Sequence, residues 1–478
     1  MYVIINTVIE MKIISMILAF IIGFFTYPVS YLSFSQNDNF DVECAAPTAD
    51  SINVEGEQYQ IDAETTDANG IILNDTVTVE LNKIYFSWFN YYGIAYTTDS
   101  YIKGEICYRA GVKIFTEEFF LEPADEVTSF YSFISNCLKG RKANAIISIS
   151  FTPLDKENAT IYVHGINVFN RAIPKEQIYI ENAKVKIGVD LLWGGALSYY
   201  EDLDSDVQVV EVDGKIYVDS HAAERYNTAS VNDNVNLINR NDTGRLVQQS
   251  YYGTIDDENY QNAVYMDNEW HYNPVQGGNQ YNDNSKIVDL KIEDNLIYIK
   301  CQPLDWAKEK EYITPSYMEA YYTIENNMLH VSCRFVDFSG YKETVRTQEL
   351  PAFYCVEPLN NFAYCDNGEI KYVKDLIFWP DAGYPNYAST ENWAAFTGEY
   401  DDSFGIGLYV PDDGATSFLT GVYARGETTN SSPADDSPTS YIAVVKDMLF
   451  KSYTPFEYDF YITTGDVNEI RNTFNLIK

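Results

Sequence analysis

The sequence predicts an all-β protein in two parts, an N-terminal β-sandwich followed by a larger body of two antiparallel sheets stacked as a supersandwich. Three observations lead there. Short segments rich in Val, Ile, Thr, Tyr and Phe recur at close spacing, with turn residues between them. Aromatic residues are abundant, with 41 Tyr, 26 Phe and 6 Trp in 478 residues, and Tyr suits both a pleated sheet and a wet polar surface. From residue 185 on, no segment apart from 467–474 carries a sustained helical stripe.

Residues 1–35 read as a secretory signal. Met11-Lys12 precedes an apolar run over 13–25, Thr26-Tyr27-Pro28 breaks it, and Ser33 and Ser35 offer small residues for cleavage before Gln36. The alternative is an uncleaved anchor, but the run falls short of the roughly 20 residues a spanning helix needs. Residues 36–72 are polar and without period, a linker or irregular lead-in. Over 73–184 the strand-like runs 76–81, 102–109, 146–151 and 161–168 make one sandwich, with a short helix expected over 125–138. From 185 to 478 the runs 207–212 and 215–218 flank Asp213-Gly214, a two-residue hairpin signal. Further strands are expected at 295–301, 328–335, 404–410, 417–424 and 458–464. A β region of this size exceeds one simple sandwich, and two large curved sheets accommodate it.

Composition narrows function. Acidic residues outnumber basic ones 70 to 32, a net charge of −38, which repels phosphate backbones and anionic membrane surfaces. A hydrophobic fraction of 46% excludes wholesale disorder. The seven cysteines show neither zinc nor CxxC spacing; Cys107, Cys301 and Cys333 read as buried thiols, and Cys355 and Cys365, flanking a turn, as the disulfide candidate. Asp202, Asp204 and Asp206 alternate as in a calcium loop, but the Gly at the sixth position and the Glu at the twelfth are missing. No P-loop, dinucleotide fingerprint or GxSxG elbow is present. The expectation is therefore no metal and no cofactor.

Four segments look chemical. They are the stretch around Trp193, the run 236–253, the run 270–278 and the run 302–306. Their amides, guanidinium, carboxylates, imidazole and aromatic faces suit a sugar, whose hydroxyls pair with amides and whose apolar face stacks on rings. Asp242, Asp305 and Glu349, with Glu319, are the carboxylates available for glycosidic chemistry, and His271 is the candidate proton carrier. Trp193, Arg245, Gln248, Gln249, Tyr251, Tyr252, Trp270, Asn273, Gln276, Gln302 and Trp306 are the candidate binding residues. Strand alternation from Arg245 puts Val247 and Gln249 on its face, so that Arg245 and Gln249 converge on one ligand. Each has a structural alternative: an Asx turn for Asp242, a buried ion pair for Arg245, core packing for Trp193 and Trp306.

The blocks 236–253 and 270–278, with Gln348-Glu349-Leu350-Pro351-Ala352 and the closing segment 458–471, resemble a family of secreted, largely uncharacterised bacterial proteins. The resemblance covers 189–478 and implies a galactose-mutarotase-like supersandwich, a fold of carbohydrate-active proteins. Related sequences often carry His where this chain has Asn241. The preceding sandwich resembles carbohydrate-binding modules in general architecture. The implied function is a secreted or cell-surface monomer that binds and hydrolyses a polysaccharide or oligosaccharide. A polysaccharide lyase and a non-catalytic glycan-binding protein are the alternatives, and fold alone does not choose among them.

Overall fold

The computed structural model describes residues 58–59, 71–174, 176–232, 234–254, 263–309, 312–341, 343–378, 383–423 and 426–477. The expected signal at 1–35 and Cys44 lie outside them. Two sheets come first in the chain. One has five strands and orders Gln58–Tyr59, Ala159–Phe169, Tyr91–Thr98 and Ala124–Phe133, with Ile71–Leu73 also on Ala159–Phe169. The other has four: Val77–Phe89, Ala143–Pro153, Ile102–Ala110 and Lys113–Leu121. Alternating residues of both, among them Tyr92, Ile94, Ile106, Phe119, Ile149 and Ile166, are buried between them. Gly104 lies opposite Phe119 in the register, and a Cβ there would sit 2.0 Å from the ring, so the aromatic side chain covers the space glycine leaves.

The remainder forms two much larger antiparallel sheets. A ten-stranded sheet runs Gln177–Glu181, Val185–Asp190, Ala196–Asp202, Val247–Ser250, Thr344–Val356, Thr439–Phe450, Thr416–Tyr423 and Asn386–Ser389, with Pro274–Val275 and Leu304–Asp305 added beside Val247–Ser250. A nine-stranded sheet runs Lys286–Glu293, Leu296–Gln302, Ser316–Glu325, Met328–Asp337, Phe456–Gly465, Gly405–Tyr409, Trp393–Thr397, Asn361–Asp366 and Glu369–Val373. The sheets stack: Tyr251 packs on Phe335 at 4.5 Å between ring centroids, and the Tyr322 hydroxyl donates to Gly195 O at 2.9 Å. The architecture is therefore all-β, a sandwich followed by a two-sheet supersandwich. A three-stranded sheet of Lys215–Asp219, Gln208–Val212 and Ser230–Asn232 is appended. Asp213 and Gly214 join its hairpin, both with positive φ (53° and 84°), as a two-residue primed turn requires. The helix Val467–Asn475 starts with a capping box between Asp466 and Glu469 and lays Val467, Ile470 and Phe474 against the nine-stranded sheet.

Four expectations need correction. The stretch expected as a helix over 125–138 is the strand Ala124–Phe133 followed by a 3-10 turn, Cys137–Lys139; its Val127, Thr128, Phe130, Tyr131 and Phe133 fit a pleated surface better than a helix. Cys355 and Cys365 are separate free thiols, buried on strands of different sheets. The lead-in contributes two short strands, Gln58–Tyr59 and Ile71–Leu73. The strand expected from Arg245 begins only at Val247, because Leu246 takes a φ of 77° and turns the chain.

Charged groups join the N-terminal sandwich to the large sheets. Arg171 reaches Asp289 at 3.0 Å, and the Tyr91 hydroxyl donates to the same carboxylate at 2.7 Å. The guanidinium also lies over the Tyr91 ring, 4.8 Å from its centroid. Lys286 pairs with Glu117 at 3.1 Å, both side chains more than 90% buried. Burial raises Asp289 above the ordinary carboxylate range, and Arg171 works against that. Arg171→Ala is expected to destabilise the fold by about 3–5 kcal/mol, the typical cost of leaving one member of a buried pair uncompensated. Urea denaturation measures this, and a loss below about 1 kcal/mol would show that solvent reaches the pair.

Candidate functional site

A cavity of about 420 Å³ opens over four adjacent strands of the ten-stranded sheet: Val247–Ser250, Thr344–Val356, Thr439–Phe450 and Thr416–Tyr423. Loops from the four polar segments, except the one around Trp193, complete its rim. Two groups of aromatic rings line it. Tyr265 sits edge-on to both Trp270 (5.0 Å) and Trp306 (5.7 Å). In the second group Tyr441 packs against Tyr354 at 4.6 Å and Tyr384 at 5.5 Å, and Tyr252 also lines the cavity. Gly244 is needed beneath Trp306: a Cβ there would meet the indole at 2.5 Å.

Two carboxylates line the cavity among the described residues, Glu349 and Asp242, and their surroundings differ. Glu349 Oε1 accepts from the hydroxyls of Tyr252 at 2.9 Å and Tyr441 at 2.7 Å. Both donors converge on one oxygen, and Oε2 has no donor among the described residues. The register shift between Glu349 and Ala352 against Thr439–Phe450 sets this carboxyl where the two phenols meet. Burial raises Glu349 above the ordinary glutamate range, and the two phenolic hydrogen bonds only partly offset it. Burial and the adjacent carboxylate push Tyr252 and Tyr441 well above the usual phenol range, so both stay protonated donors. Asp242 instead pairs with Arg245 and accepts the Gly244 N–H at 2.9 Å, closing the Asx turn. Arg245 donates also to Ser437 O at 3.1 Å.

Of the residues singled out in the sequence, Asp242, Arg245, Gln248, Tyr252, Trp270, Asn273, Trp306 and Glu349 line this cavity. Some of them serve the scaffold as well. Gln248 spends its amide on the carbonyls of Thr243 (2.9 Å) and Arg245 and on the Gly277 N–H (2.7 Å). Asn273 donates to Tyr251 O at 2.8 Å and accepts from the Trp270 indole at 3.1 Å.

The other candidates are corrected. His271 stands behind Trp270, stacked on it at 4.4 Å, and its Nδ1 accepts from Arg346 at 3.0 Å. Burial first, then the Arg346 charge, push the imidazole down to about 3, so it is neutral near pH 7, and it does not line the cavity. Asp305 is wholly buried beneath the rim, where it accepts from the N–H groups of Ala307 (3.2 Å) and Asn273 (3.4 Å). Burial pushes it up to about 6, but it does not face the cavity. Gln249 does not converge with Arg245: it points between the large sheets, donates to Glu319 O at 2.9 Å and accepts from the Tyr251 hydroxyl at 2.8 Å. Tyr251 is core, packed between Phe335 and Phe456. Gln276 bridges Gly194 O and the Gln249 N–H. Gln302 is buried at the end of Leu296–Gln302, and Trp193 sits in the turn before Ala196–Asp202; neither lines the cavity. Glu319 is held low by Lys300 and Arg334 despite its burial.

Sequence reasoning missed Tyr265, Tyr354, Tyr384, Tyr441, Gln280 and Asn282, which also line the cavity. The excess of Tyr was a general signal, but which rings meet depends on the pairing of Thr344–Val356 with Thr439–Phe450, in which Tyr354 lies opposite Tyr441.

The His271 value has a consequence for stability. Its folded value lies below the ordinary 6.5, so its contribution is fully present above 6.5 and is lost as pH falls toward about 3. His271→Gln, which keeps an acceptor for Arg346, is expected to shrink the loss of melting temperature between pH 7 and pH 4. An unchanged loss would mean that the imidazole protonates freely in the folded protein.

No family model matches the chain, and no curated protein matches it. Solved structures align at low similarity. A putative aldose 1-epimerase from Escherichia coli K12 is 8% identical over 61% of this chain and 99% of that one, with a TM-score of 0.34. A galactose mutarotase related enzyme from Lactobacillus acidophilus is 11% identical over 60% and 97%, with a TM-score of 0.34. An alpha-mannosidase from Enterococcus faecalis V583 is 9% identical over 85% and 43%, with a TM-score of 0.32.

Proposed function

We propose that this protein binds a saccharide in the Glu349 cavity and hydrolyses a glycosidic bond there, with Glu349 as the proton donor. The observation that carries the reading is the contrast between two carboxylates sharing one aromatic-walled cavity. Glu349 is pushed toward its neutral, proton-donating form by burial, whereas Asp242 is paired with the Arg245 guanidinium. Glycoside hydrolysis needs such a pair: an acid to protonate the leaving oxygen and an ionised group to activate water or stabilise the cationic sugar. The tyrosines and tryptophans of the lining suit the apolar faces of a pyranose, while Asn282 and Ser250 offer polar groups at its edge.

Less supports the lyase alternative. A lyase needs a base at the sugar carbon and a cation for the uronate; here the phenols are held protonated, His271 lies behind Trp270, and Arg245 is committed to Asp242. Non-catalytic binding uses the same aromatic walls without the proton transfer. The apolar run over 13–25 with its preceding Lys12 supports export, so the substrate is proposed to be an extracellular glycan.

Incubation with a panel of polysaccharides should release reducing ends without the absorbance of an unsaturated uronate. Glu349→Gln should slow release by about 10²–10⁴-fold, the usual contribution of a positioned acid, and leave saccharide binding in place. Because Glu349 must be protonated and is raised, activity should persist above the ordinary value of 4.5 and fall as pH rises further. Binding without release by the native protein would select the non-catalytic reading, and unsaturated products would select the lyase.

A further inference from the structure

A second cavity, of about 270 Å³, lies where the appended three-stranded sheet meets the edge of the nine-stranded sheet. Lys215, Tyr217 and Tyr226 face it from the small sheet and the helix after it; Asn361, Lys374 and Glu399 face it from the large sheet and its loops. None of these residues lines the Glu349 cavity.

Asn361 is the informative residue. It is 2% exposed, and neither its Nδ2 nor its Oδ1 has a hydrogen-bond partner among the described residues. Its main chain is satisfied: it pairs with Thr397 in the sheet, and its carbonyl accepts from the Thr397 hydroxyl at 3.4 Å. The side-chain amide therefore does nothing for the sheet. Leaving a buried polar group unpaired costs about 1–3 kcal/mol, and native proteins rarely tolerate it. An amide offers a donor and an acceptor side by side, the pattern that neighbouring hydroxyls of a sugar ring satisfy.

The rest of the lining fits the same ligand. The Tyr217 and Tyr226 rings lie 4.6 Å apart at 32° and form an aromatic wall. The Lys215 ammonium sits 5.0 Å from the Tyr217 centroid, and Lys374 meets exposed Asp401 only at 4.0 Å. In a chain with net charge −38, two ammonium groups at one small cavity favour a ring carrying a carboxylate over a neutral one, even with Glu399 at the rim.

We infer that this cavity is a second saccharide-binding site, in which Asn361 pairs with ring hydroxyls against the Tyr217–Tyr226 wall. It is separate from the Glu349 cavity and does not depend on hydrolysis there.

The test uses galactose and galacturonate as probes of the full chain, with diffraction from soaked crystals to locate them and saturation-transfer NMR to read binding in solution. Galacturonate is expected at Asn361, with galactose weaker. Asn361→Ala should lose that signal while the melting temperature stays level or rises, because the amide removed has no protein partner. A drop in melting temperature with binding unchanged would mark Asn361 as a scaffold residue and overturn the inference. Tyr226→Ser, at a half-buried position, gives a second check: retained binding there would also overturn it. Probe found only in the Glu349 cavity, or in neither, refutes this site; probe here with no product released from the polysaccharide panel leaves this site standing while the hydrolysis reading fails.

Discussion

Buried side-chain amides hold the cavity open. Where the chain leaves the ten-stranded sheet to form the rim, its backbone groups lose their ladder partners, and each unpaired one would cost about 1–3 kcal/mol. Asn236 Oδ1 takes the N–H groups of Tyr200 and Ile238, while its Nδ2 donates to Ser198 O. Asn239 donates to Asp436 O and Pro438 O, and Gln248 ties Thr243, Arg245 and Gly277 together. Gln276 and Asn273 do the same for the strands beside Val247–Ser250. These amides replace a missing β-ladder, so the loops can rise from the sheet and remain ordered.

That framework gives the cavity its chemistry. Asn273 fixes Trp270 through the indole N–H, and the turn at Asp242 brings Gly244 under Trp306. The sheet beneath supplies Glu349 with its two phenols from different segments, one from the rim and one from the neighbouring strand. Desolvation outweighs those two hydrogen bonds at Glu349, whereas at Asp242 a guanidinium is present to balance the charge. Two carboxylates in one cavity thus meet different partners, a pair of phenols for one and a guanidinium for the other.

The same amides explain why the site was only half legible in the sequence. Gln248, Gln249, Gln276 and Asn273 stand among aromatic residues in loops, a mixture that suits sugar hydroxyls and backbone carbonyls equally well. Composition cannot tell which partner an amide will meet. Gln249 and Gln276 turned inward to the scaffold, while Gln248 and Asn273 serve it from the cavity wall. His271 and Asp305 were plausible for the same reason and are likewise held by protein partners, Arg346 for one and two backbone N–H groups for the other.

By itself the sequence determined the β class, most strand positions, the Asp213-Gly214 hairpin and the final helix, because strand alternation, turn residues and helical period are local properties written into adjacent residues. It also confined the polar, aromatic segments to one part of the chain. Tertiary structure alone decided which of those side chains share a cavity. Strand pairing between 344–356 and 439–450 brought Tyr441 to Glu349, and a positive φ at Leu246 turned Arg245 away from Gln249. A residue's acidity and exposure depend on what the rest of the chain packs around it, and for Glu349 those neighbours, Tyr441 and Tyr252, lie 92 and 97 positions away.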